Sequence, residues 1–199
     1  MTRDYQRARH EAGHCLRLHA VGWPVDTIDG AGTRFHYPVV LADLPYYVEG
    51  HPGAVVRYCL DGLSAMFAGS LAACGSLAEV SRADQKIIDE LGRAYKACRA
   101  PLNWSTLAEH AEAATRAWLR EAPTRQALEV VSALLMKEGQ IPGPAWRALA
   151  QQHGFARRCA ALPVARRILH GASDLEPWGA PVLDWRLGTR GARVMLSSM

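Results

Sequence analysis

The chain has 199 residues, 49% hydrophobic and 21% charged, a composition that fits one buried core and excludes intrinsic disorder. Its net charge of +4 resides in the last quarter, where seven arginines stand against three acidic residues; residues 1–153 balance. The polar N-terminus excludes a secretory signal, and the longest apolar stretch, Leu63 to Ala78, is interrupted by Gly and Ser and too short for a bilayer, so a soluble cytoplasmic protein is expected.

In chain order, Thr2 or Asp4 is placed to cap a first helix reaching about Ala20, with Ala8, Ala12, Cys15, Leu16 and Ala20 as its apolar stripe. Gly22, Pro24, Gly30 and Gly32 then break the helical pattern. Between and after them, "VDTI" and "TRFHYPVV" read as short strands. Pro38 cannot donate to a ladder, which puts the second strand at a sheet edge, open to an extended polypeptide. "LPYYVEGHPG" reads as loop. A helix rich in Ala, Gly and Ser covers Val55 to Val80, a composition that lets helices approach closely. Further helices are predicted over Ser81 to Cys98, 104–121, 124–138 and 143–152. Five cysteines without a C-x-x-C pair suit reduced, buried thiols. The predicted fold is mainly α (α+β): an HExxH helix with a small sheet near the N-terminus, then a helical bundle. Residues 1–153 form the main domain. Residues 154–199 form a basic arm, packed or bridging an oligomer; Trp178 and Trp185 are too few for a base-stacking platform, so nucleic acid is not an expected partner.

The chemistry concentrates in His10-Glu11-Ala12-Gly13-His14. Histidines at i and i+4 project from one helical face and can grip one metal ion, while a glutamate beside the first lies close to any water there. On the order of 0.02 matches to H-E-x-x-H would arise by chance in a chain with this His and Glu content. A catalytic zinc takes three protein ligands and leaves a position open. His19 does not supply the third in the metzincin manner, because Arg17 and Ala20 stand where that pattern needs glycine and histidine. Candidates elsewhere are Asp61, Glu79, Asp84, Asp89, His36 and His51.

"ARHEAGHC", the Gly/Ala-rich "LSAMFAGSLAA", an Asp opening the next helix, and "APTRQALEVVSALLMKEGQIPGPAWRAL" follow one another in this order. Together, over roughly residues 3 to 150, they resemble the peptidase domain of the FtsH-type zinc metalloproteases. The resemblance implies a zincin-like fold with His10, His14 and Asp84 as zinc ligands and Glu11 as the catalytic glutamate; Glu79 is the reserve ligand. It also implies a homo-oligomer. The sequence departs from the family at Ala73, where the A-G-x-x-A-E signature has its glutamate, and in a shorter connection, "SLAEVSR", before Asp84. No G-x-x-x-x-G-K-[ST] phosphate loop occurs, so a separate ATPase or unfoldase is the expected partner for folded clients. The implied function is a zinc-dependent metalloendopeptidase acting on flexible or unfolded polypeptides. The alternative is a non-proteolytic zinc-binding interaction or regulatory module on a peptidase-like fold.

Overall fold

A computed structural model describes residues 2–37, 41–47, 52–100, 102–155 and 193–195. The fold is mainly helical with a small antiparallel sheet, as expected. Helix α1 (Arg3–Ala20) starts where the Thr2 hydroxyl accepts the Tyr5 amide, and it turns into the sheet at Gly22, whose φ of 82° is left-handed. Strands β1 (Val25–Asp29) and β2 (Gly32–His36) form a hairpin. Its turn is held by Asp29, whose side chain accepts the amides of Ala31 and Gly32. A short helix α2 (Leu44–Tyr47) precedes α3 (Pro52–Cys74), and α4 (Arg82–Ala97), α5 (Trp104–Arg120), α6 (Ala122–Glu138) and α7 (Gly143–His153) follow.

Helix α3 is the central element, packed against α1, α4 and α5, while α1 also packs on α6 and on both strands of the hairpin. The α1–α3 approach is close because small residues line it. A Cβ added at Gly13 would stand 2.4 Å from the Ala68 carbonyl oxygen and 2.9 Å from the Ala72 Cβ. The core runs through this contact, with Ala12, Cys15, Leu16, Leu63, Met66, Ala111 and Val131 buried around it. The same core continues through Trp23, Phe35 and Tyr37, whose rings pack together and, through Tyr58, fix the hairpin against α3.

Helix boundaries fall within two residues of expectation for α4 to α7. Three features differ. Helix α3 stops at Cys74, not near Val80, because Gly75 turns left-handed (φ 70°) and its amide closes on Leu71. The stretch expected as loop contains α2. Between α6 and α7, Gln140–Pro142 is a strand, β3, paired with β1; Gly143 permits this, since a Cβ there would meet the Asp26 carbonyl oxygen at 2.6 Å.

The expected sheet edge is also different. Strand β2 ends at His36, before Pro38, and its outer side pairs with β4 (Arg193–Met195), giving the order β3-β1-β2-β4. An open edge at β2 is therefore overturned, the chain's own C-terminal segment supplying the missing ladder partner. The rest of the basic arm, with Trp178 and Trp185, lies outside the described residues, as does His51. Among the described residues no helix is long and apolar enough to cross a membrane, and Cys15, Cys59, Cys74 and Cys98 are free thiols, of which Cys74 is exposed.

Candidate metal centre

Two helices build the site. His10 and His14 lie one turn apart on α1, their rings 4.5 Å apart and nearly perpendicular. Asp84 enters from the first turn of α4, where the Ser81 hydroxyl caps the helix by accepting the Asp84 amide at 3.0 Å. That cap fixes where α4 begins and so where Asp84 points. Its Oδ2 lies 3.2 Å from His10 Nε2 and its Oδ1 lies 3.3 Å from His14 Nε2, with the two Nε2 atoms 2.9 Å apart. Among the described residues, His10, His14 and Asp84 form a group whose three donor atoms all lie within 4.8 Å of one another.

The surroundings set the chemistry of each group. The His14 ring is wholly buried, and its Nδ1 lies 2.8 Å from the Ala65 carbonyl oxygen of α3. A carbonyl only accepts, so Nδ1 carries the hydrogen and Nε2 is left to face Asp84. Burial works against a proton on His14, but the Asp84 carboxylate outweighs it and pushes the pKa up to about 9. Burial would raise Asp84; the facing His14 and His10 outweigh that and hold it well below the usual carboxylate range. Among the described residues no donor is in hydrogen-bond geometry with either Asp84 oxygen, although Asp84 is 1% exposed.

These residues fit a divalent cation. A buried carboxylate is costly unless a cation faces it: protonated His14 meets that need in the metal-free protein, and an ion held by Asp84 and the two imidazole nitrogens in the same small space would take its place. Donors about 2.0 to 2.2 Å from a tetrahedral ion stand roughly 3.3 Å from one another, close to the spacings found. The carbonyl partner on His14 is the kind of support that fixes a ligand's tautomer and ring orientation. Gly69 of α3 keeps the space open: a Cβ there would stand 2.3 Å from His14 Nε2. The Ala68-Gly69 pair that carried the resemblance thus has a steric reason within this fold.

Glu11 is 1% exposed. Its Oε2 accepts a hydrogen bond from the Thr33 hydroxyl of β2 at 2.8 Å, and its Oε1 has no partner among the described residues. Burial pushes its pKa up, while His14, His10 and the Thr33 hydrogen bond pull the other way. Glu11 also lines a cleft of about 290 Å³ between α1, the β1–β2 turn and the end of α6, together with Ala8, Gly30, Leu135 and Met136. Met136 is 48% exposed, the one exposed large hydrophobic residue among those described.

The other ligand candidates lie apart from this cluster. Glu79 is exposed in the turn before α4. Asp61 accepts from Arg57, Asp89 accepts from Gln85, and His36 pairs with Asp26 at 2.9 Å. His19 packs edge-on against Trp146, and burial lowers its pKa.

Two supports went unseen in the sequence. Thr33 gives no periodic or motif signal. Arg9, whose Nε donates to the Ala72 carbonyl at 3.1 Å and whose guanidinium pairs with Glu129, ties the motif helix to α3 and α6; Tyr5 joins it on Glu129. An arginine directly before the motif was the available clue, but its partners are 63 and 120 residues away. No family model matches the chain, and neither a curated protein nor a solved structure does.

Proposed function

We propose that the chain is a zinc-dependent metalloendopeptidase of the FtsH type that hydrolyses peptide bonds in flexible or unfolded polypeptides. The observation that carries this reading is the arrival of Asp84 from α4 beside His10 and His14, with the buried Glu11 on the same turn of α1. His10, His14 and Asp84 would hold the ion, which when bound supplies a Lewis acid for water and for the peptide carbonyl. Glu11 takes a proton from the attacking water and delivers it to the leaving amine. A cytoplasmic location, a homo-oligomer and a separate unfoldase for folded clients belong to the same proposal.

The test is Glu11→Gln, assayed on casein with zinc content measured in parallel. Zinc should remain stoichiometric while cleavage falls by roughly 100-fold or more. Undiminished cleavage by the variant would remove Glu11 from the mechanism. A second reading, a non-proteolytic zinc-binding interaction or regulatory module, is favoured by β4, which covers the β2 edge where an extended substrate would add. Under that reading the wild-type protein binds zinc and leaves casein intact.

A further inference from the structure

We propose that Thr33 is a positioning residue for Glu11, anchoring one carboxylate oxygen so that the other is presented for proton transfer. The proposal rests on the peptidase reading for its catalytic meaning, and on geometry for its substance.

Thr33 is fully buried on β2, and its Oγ1 lies 2.8 Å from Glu11 Oε2 and 3.2 Å from the Glu11 carbonyl oxygen. A hydroxyl has one hydrogen to give. The carbonyl is an interior acceptor of α1, already placed to receive a helical amide, whereas Oε2 is a charged acceptor at the shorter distance. The hydrogen therefore goes to Oε2. Glu11 Oε1 is left without a partner among the described residues, although it too is buried.

A glutamate side chain has three rotatable bonds, and a helix by itself does not fix where its carboxylate ends. At Glu11 a strand does so, reaching across from 22 residues away. The two oxygens thus divide the work. In hydrolysis the water oxygen bonds to the peptide carbonyl carbon and one water proton goes to Oε1. That proton passes to the leaving nitrogen as the C–N bond breaks, so one water is consumed and a carboxylic acid and an amine result, the acid's proton then passing to the amine to give carboxylate and ammonium. Oε2 remains an acceptor whether or not Oε1 carries the proton, so the Thr33 bond persists through the step. No heavy atom of the pair has to move, which is what makes such an anchor useful.

The experiment compares zinc-loaded wild type with Thr33→Val, which keeps shape and removes the hydroxyl, and Thr33→Ser, which keeps the hydroxyl. Casein kinetics, zinc content and crystal structures are recorded for each. In Thr33→Val the Glu11 carboxylate should leave its wild-type position or split between conformers. Zinc should stay stoichiometric, and kcat should fall roughly 10- to 100-fold with little change in KM. Thr33→Ser should restore both the Glu11 position and kcat, and it serves as the folded comparison if the valine variant is unstable. A Glu11 carboxylate unmoved in Thr33→Val, or a serine variant as impaired as the valine one, overturns the proposal. If wild type itself does not cleave casein, the peptidase reading fails, and the Glu11 conformation in Thr33→Val still decides whether Thr33 positions it.

Discussion

Asp84 and His14 hold each other's charge in the metal-free protein, and the consequence is measurable in pH. The His14 pKa is raised from its ordinary 6.5 to about 9, so its contribution to stability is fully present below about pH 6.5 and is lost as pH rises through 9. The Asp84 pKa is lowered, so its contribution is present above the ordinary carboxylate value and is lost as pH falls far below it. The melting temperature of chelator-treated protein should therefore decline between pH 6.5 and 9. Zinc-loaded protein should lack that decline, because a ligating histidine is neutral at the ligating nitrogen. Calorimetry across this range, with and without chelator, checks both statements. Asp84→Asn removes the charge at the centre and should weaken zinc binding by at least about 100-fold, more than the loss of an outer supporting residue costs. Titration against a competing chelator reads this directly. Gly69→Ala should also impair zinc binding although no ligand residue is replaced, since the added methyl would stand 2.3 Å from His14 Nε2 and push the ring out of place. At this scale the sequence was legible where chemistry sits on one helical turn: His10, Glu11 and His14 announce themselves by spacing. Asp84 needed a resemblance to single it out from five other candidates. Thr33 carried no local signal, because its role exists only once β2 lies against α1.

Among the elements, the α1–α3 contact decides how well the site is held. Gly13 and Ala68 bring the two helices to backbone contact, so the carbonyl of Ala65 reaches His14 and the space at Gly69 receives its ring. Gly13→Ala should destabilise the fold by about 1 to 3 kcal/mol, the usual cost of overpacking against atoms that cannot rotate away. Urea unfolding of the metal-free variant, compared with wild type under the same conditions, supplies the value. The helices were legible because their periodicity and ends are set locally; the structure shows Thr2, Ser81 and Asn103 capping starts and left-handed Gly139 and Gly154 closing stops. Strand β3 was hidden in a three-residue stretch between Gly139 and Gly143, flanked by residues that read as a turn. Only the partner strand β1 makes it a strand, and that pairing joins residues more than a hundred positions apart. The outer ladder on β2 was missed for the same reason, Pro38 being a fair argument for an edge but lying beyond the paired residues.

For the molecule as a whole, the candidate ligands come from α1 and α4 alone, with α3 between them in sequence and beneath them in space. Removal of residues 156–199 should therefore leave zinc affinity unchanged, checked by the same chelator competition. It would also take away the partner of β2, so any change it produced in peptide cleavage would report on that side of the sheet.

About 70 residues of chain separate His14 from Asp84, a span that includes the whole hairpin and all of α3. An ion shared by these side chains would close that span as a cross-link does. It has no site until α4 has docked beside α1, so it acts only on chains that have reached that arrangement. The ion should accordingly act on the rate of escape: bound zinc slows unfolding in proportion to its occupancy and leaves the folding rate of metal-free chains nearly untouched. The lifetime of the folded protein, more than its speed of formation, would then depend on how much zinc its surroundings offer.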